Sequence, residues 1–126
     1  MEEAITHLKV PIEHEDRRTC LGPDGSAAHV SRVIQMLSGR WKLPILFRLF
    51  AEPTMRSSQL LRDIPGISQK MLTQHLRQLE QDGLVARQDF QEQPPHVAYE
   101  VTASGRALMP ALIAVREFAR QHTEAE

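Results

Sequence analysis

Leu72, Leu76 and Leu79 recur at the spacing of one helical face. Ser68 stands just before them as a natural N-cap, and Gly83 stands where a helix stops. Immediately beyond Gly83 the pattern changes. Residues 84–90 and 96–102 are rich in Val, Tyr and Phe and read as two strands. The stretch between them, Gln91-Glu92-Gln93-Pro94-Pro95, is too long for a two-residue turn, so an open hairpin loop is expected. A capped helix running straight into a hairpin leaves few ways to bury its leucines.

The segments before it narrow the choice further. Ser26 is the expected cap of a first helix, whose stripe is Val30, Val33, Ile34 and Leu37, with Gly39 as its stop. A second helix begins near Lys42 or Leu43, because Pro44 is tolerated only in a first turn. It carries Ile45, Leu46, Phe47, Leu49 and Phe50, is apolar around most of its circumference, and ends at Glu52-Pro53. Ser58 is the expected cap of a short third helix with Leu60, Leu61 and Ile64, closed by Pro65-Gly66. Thr102 or Ser104 caps a last helix to about residue 121. A short helix, a tight turn, a second helix and a hairpin form a winged helix-turn-helix layout. The expected fold is mainly α with a small β-hairpin, and with N- and C-terminal dimerisation helices around the core. Residues 1–25 are read as an acidic, loosely ordered arm, 26–122 as the domain, and 123–126 as a tail.

On a helical wheel centred on Leu72, Lys70, Thr73, Gln74 and Arg77 fall on the opposite face, about 100° to 200° away. No acidic residue occurs over residues 68–78. An ordinary solvated helix mixes Glu with Lys, whereas acids would be repelled by phosphate. Gln, Lys, Thr and Arg are the side chains that read base edges or grip phosphates in a major groove.

The net charge of −1 hides a gradient that supports this. Residues 1–25 carry −3, residues 26–90 carry +4 and residues 91–126 carry −2. A basic centre lies between acidic ends. The acidic ends keep a second class open, a winged-helix protein-interaction module without DNA affinity. An enzyme is not expected, since no nucleophile, base and orienting group come together in the sequence. Neither a cofactor nor a metal site is expected: the cluster His7, Glu13, His14, Glu15 and Asp16 lacks metal-ligand spacing. The acidic start, Met1-Glu2-Glu3-Ala4, is unlike a secretory signal, and no apolar run nears the roughly 18 residues of a membrane span, so a cytoplasmic protein is expected.

Residues 64–73, Ile-Pro-Gly-Ile-Ser-Gln-Lys-Met-Leu-Thr, together with Leu76, Leu79-Glu80 and Asp82-Gly83-Leu84-Val85, closely resemble the HxlR-type winged helix regulators. Gly39-Arg40-Trp41 resembles that family's Gly-basic-Trp signature. Pro94-Pro95, Val97, Tyr99, Val101-Thr102 and Gly105 resemble its wing and the entry to its last helix. The resemblance spans residues 26–122. It implies a small bacterial transcription factor related to the MarR group, a two-fold dimer bound to double-stranded DNA at a palindromic operator. By position it implies Ser68, Gln69, Lys70, Thr73, Gln74 and Arg77 as DNA contacts. Arg87 on the first wing strand and His96 at the wing tip join them, with His96 standing where the family has Arg. Ser57 and Gln59 replace the family's aromatic and glutamate. Ala28 replaces a cysteine that some members use as a sensor.

Leu108, Leu112, Val115 and Phe118 give the last helix more apolar surface than a flanking helix needs, which suggests pairing with a second subunit, helped by the first helix. Packing within its own domain is the alternative. Cys20, beside Arg17-Arg18, is a candidate redox thiol or an inert one. Control by a small-molecule or redox signal fits a repressor of this type. Trp41 is read as a core or interface anchor, His75 as a residue packed beside Leu79, and Lys42 and Arg48 as either phosphate contacts or solvated charges.

Overall fold

The computed structural model describes residues 21–91 and 96–123. The backbone forms two units, Met1–Ser38 and Gly39–Glu126. The arm assigned to residues 1–25 lies outside the described residues up to Cys20, as do Pro94, Pro95 and residues 124–126.

In the first unit, helix α1 spans Ser26–Met36. Its N-cap is Gly25 rather than the expected Ser26, because the turn at 22–25 closes through Gly25 N–H to the Gly22 carbonyl at 3.0 Å. The Gly25 carbonyl then accepts from His29 N–H at 3.0 Å, starting the helix one residue early. Val30 and Ile34 of the predicted stripe are exposed. Gly39, with φ +105°, stands beyond the helix C-cap at Leu37.

In the second unit, α2 spans Lys42–Ala51, with Pro44 in its first turn where no N–H is needed. Strand β1, Met55–Arg56, follows, then α3, Ser57–Asp63, and α4, Gln69–Gln81. Strands β2, Val85–Phe90, and β3, His96–Val101, form the hairpin, and α5 runs Ala103–His122. The sheet has three strands in the order β1-β3-β2, not the two that the sequence suggests. All pairs are antiparallel, with Met55 opposite Tyr99 and Val85 opposite Val101. A two-residue strand is too short to show an alternating pattern. Its presence also moves the start of α3: Arg56 is the N-cap, and its N–H donates to Gln59 Oε1 at 2.8 Å. Gln59 thus closes the first turn of α3 with a side-chain acceptor.

The core of this unit lies between α2, α3, α4 and the sheet. Ile45, Leu46, Leu49, Leu60, Leu72, Leu76, Leu79, Val85 and Met109 are fully buried. Each such side chain removes enough apolar surface from water for about 1.5–3 kcal/mol. Leu43 and Phe50 on α2 remain exposed, so the helix is less enclosed than its composition suggests. α5 enters the core through Gly105 and Met109 alone. Pro110 sits inside that helix, where it offers no N–H to the carbonyl four residues back. Among the described residues no helix is long and apolar enough to cross a membrane.

Candidate nucleic-acid interface

Ser68 caps α4 as its sequence suggests: its Oγ accepts from Met71 N–H at 3.1 Å. At the other end Gly83 takes φ +80°, a left-handed conformation that costs a glycine little. Gly83 N–H donates to the Glu80 carbonyl and Leu84 N–H to the Leu79 carbonyl, both at 3.0 Å, which is the paired bonding of a Schellman stop. The helix is therefore fixed at both ends by local chemistry. Its leucines point inward and Lys70, Thr73, Gln74 and Arg77 form a stripe at i, i+3, i+4 and i+7. Gln69, Lys70, Gln74 and Arg77 are exposed, and Thr73 is half-buried.

The cations of this face differ from those that are matched in ion pairs. Several other arginines are matched: Arg48 with Asp63 at 3.0 Å, Arg62 with Asp63 at 3.4 Å and Arg116 with Glu117 at 2.9 Å. Among the described residues neither Lys70 nor Arg77 takes part in an ion pair. The first turn of α4 carries no acid. The positive N-terminal end of the helix dipole adds to the same field.

The wing residues are placed differently. Arg87 is exposed on β2 and stands 3.9 Å from Asp89, two residues along the same strand. His96 is half-buried and stacks on Phe90, with ring centroids 4.7 Å apart and planes 22° apart. Gln88 Nε2 donates to Glu100 Oε2 at 3.0 Å on the outer surface of the hairpin.

Two cations weighed as phosphate contacts are otherwise engaged. Lys42 is only 8% exposed, and Arg48 is held by Asp63 across the α2–α3 contact. Trp41 is an anchor: it is buried, the Arg40 guanidinium lies 4.5 Å from its ring centroid, and its Cη2 lies 3.5 Å from where a Cβ on Gly66 would sit. Gly66, at φ +87°, makes the turn before α4. His75 is half-buried, as its place on the wheel suggests, and its Nδ1 has no hydrogen-bond partner. Arg56 is exposed at the start of α3, unpaired among the described residues. Sequence reading passes over it because nothing local marks β1.

On α5, Leu108 and Leu112 are half-buried, while Val115 is 63% and Phe118 60% exposed. Phe118 stacks on His122 at 4.4 Å. Cys20 lies outside the described residues, as do His7, Glu13, His14, Glu15 and Asp16.

The layout and this helix can be set beside known proteins. The model of the HxlR-like helix-turn-helix family matches residues 36–126. The chain is 38% identical over 126 residues to the HTH-type transcriptional regulator sll1512 of Synechocystis sp., covering 100% of this chain and 90% of that protein. A transcriptional regulator of the MarR family from Enterococcus faecalis V583 has a similar structure, with a TM-score of 0.73 and 36% identity over 76% of this chain and 86% of that one. The redox regulator HypR in its reduced form gives 0.69 and 32%, over 74% of this chain and 91% of HypR. The fold agrees with that of these proteins, which are described as transcriptional regulators. The chain therefore belongs to the HxlR-like helix-turn-helix family of DNA-binding transcriptional regulators, related to the MarR group.

Proposed function

We propose that the protein is a homodimeric repressor that occupies a palindromic operator in double-stranded DNA in the bacterial cytoplasm. The observation that carries this reading is the exposed, acid-free stripe of α4, whose Lys70 and Arg77 take part in no ion pair among the described residues. Internally matched cations have little charge left for phosphate, whereas these two keep theirs. Lys70 and Arg77 grip phosphate or guanine, Gln69, Thr73 and Gln74 discriminate bases, and Ser68 holds the helix start against the backbone. Arg87 and His96 bring the wing to the flanking backbone. Two copies of α4 sit about one DNA turn, roughly 34 Å, apart. Residues 26–122 form the working domain, with Leu108, Leu112, Val115 and Phe118 of α5 pairing the subunits.

A small-molecule or redox signal is the proposed control. Likeness to a redox regulator favours the second, and Cys20, the one cysteine in the chain, is then its carrier. Ala28 stands in α1 at the position where the resemblance implies a sensor thiol.

A mobility-shift titration on the promoter region beside the gene, at two salt concentrations, tests the reading. Lys70→Ala should weaken binding about tenfold on all sequences and lower the salt slope by about one. Gln74→Ala should instead narrow the gap between specific and random duplex. Equal losses on both duplexes for both variants would remove this division of labour. No shift on any duplex would point to a protein-interaction module.

A further inference from the structure

The last turn of α4 is joined to the first turn of α5 by one side chain. Thr102 Oγ1 donates to the Gly83 carbonyl at 2.6 Å and accepts from Gly105 N–H at 3.0 Å. The Thr102 backbone N–H donates to the Leu84 carbonyl at 3.0 Å. Both carbonyls follow directly from the Schellman stop, which turns the chain so that Gly83 and Leu84 face the entry of α5. Packing closes the same joint. A Cβ on Gly105 would lie 2.5 Å from the Leu84 carbonyl oxygen and 2.5 Å from Val101 Cγ1, distances that no real Cβ contact allows. Arg106 adds a bond from its guanidinium to the Val101 carbonyl at 3.1 Å. α5 therefore meets the reading helix through a hydroxyl with both hydrogen-bonding roles filled and a glycine with no space to spare.

We infer that Thr102 is a positioning residue that sets the orientation of the reading helix α4 against α5, so that base discrimination depends on a hydroxyl outside the reading stripe. This rests on the DNA-binding reading above. Base contacts require the stripe to be held within a fraction of an ångström, whereas phosphate attraction tolerates small tilts. Loosening the joint should therefore cost specific binding more than non-specific binding. Because α5 is also the proposed pairing helix, the joint links that helix to α4 through hydrogen bonds between residues 19 apart in sequence.

The test uses the full chain and two duplexes: one selected from a random pool by the wild-type protein, and a scrambled version of it. Thr102→Val keeps the shape and removes the hydroxyl. It should bind the selected duplex about tenfold less tightly and the scrambled one within about twofold of wild type. Thr102→Ser should restore binding to within about twofold, and sedimentation should be unchanged. Thr102→Ala, which removes the hydroxyl without adding bulk, should repeat the selective loss, and it carries the comparison if Thr102→Val does not fold. Equal loss on both duplexes, or no rescue by Ser, overturns the inference. If the wild-type protein selects no sequence, the DNA-binding reading itself fails. Amide exchange then decides the joint: Thr102→Val should speed exchange at Gly105 and at Gly83-Leu84, and unchanged protection there overturns it.

Discussion

α4 and α5 carry the same kind of apolar stripe and put it to different ends. In α4, Leu72, Leu76 and Leu79 are no more than 1% exposed, covered by α2, α3 and the sheet of their own unit. In α5 full burial ends at Met109, Leu112 is half-buried, and Val115 and Phe118 stand open about one and a half to two and a half turns beyond Met109. The polar sides differ as well. Among the described residues α4 leaves both of its cations without an ion pair, while α5 pairs Arg116 with Glu117 and leaves Arg106 and Arg120 without one. Periodicity thus reports that a helix has an apolar face, but not what covers it. α4 is thus held by its own domain, and the open face of α5 is the one proposed above to pair with a second copy of the chain.

Removing a covered leucine should have the largest effect. Leu76→Ala deletes a fully buried side chain from a packed site and should cost about 3 kcal/mol of unfolding free energy, read from the denaturant midpoint at constant slope. If Leu76→Ala costs no more than Phe118→Ala under the same conditions, the contrast in cover is wrong.

Phe118→Lys tests the open side. Placing a charge on the proposed pairing surface should shift the protein to a monomer in sedimentation. Its DNA affinity should fall about a hundredfold, since two linked reading helices bind far more tightly than one. Helical content by circular dichroism should be unchanged, because Phe118 is not part of the core. A dimer that survives the substitution places the pairing surface elsewhere.

Ser68→Ala has a smaller effect and probes the helix end rather than its face. Losing the Ser68 Oγ acceptor should cost about 1 kcal/mol of stability in the absence of DNA. Ser68→Asp, which retains an acceptor, should recover most of that stability and still weaken DNA binding, because it places an acid at the reading end. Recovery of both together would separate α4 from DNA.

Much of α4 is legible in the sequence because everything that defines it is local. Ser68, the leucine spacing and Gly83 lie within one short segment and act on their own backbone. Features that depend on distant partners are not legible. β1 exists only because Met55 and Arg56 pair with Tyr99 and Ala98. Arg48 finds Asp63 15 residues away, and Thr102 finds Gly83 19 residues away. Lys42 looks solvated beside Trp41 and is buried. The stripe Lys70, Thr73, Gln74 and Arg77 could be read because a helical wheel places those side chains. The joint that holds the stripe in place could not, since Thr102 there looks only like the cap of the next helix.

The smallest effect concerns the charges of α5. Arg116 and Glu117 are adjacent in sequence and about half exposed, with N–O distances of 3.2 and 2.9 Å. A pair in that setting is screened by water and salt and contributes no more than about 0.5 kcal/mol. Glu117→Gln should therefore leave the denaturant midpoint almost unchanged and free Arg116. If only α4 and the wing meet DNA, the freed cation lies away from phosphate, and DNA affinity should stay within about twofold at any salt concentration. An increase of severalfold that disappears at high salt would place the end of α5 beside the DNA backbone. The helix proposed to pair the subunits would then also grip the duplex, and the division between the two helices would no longer hold.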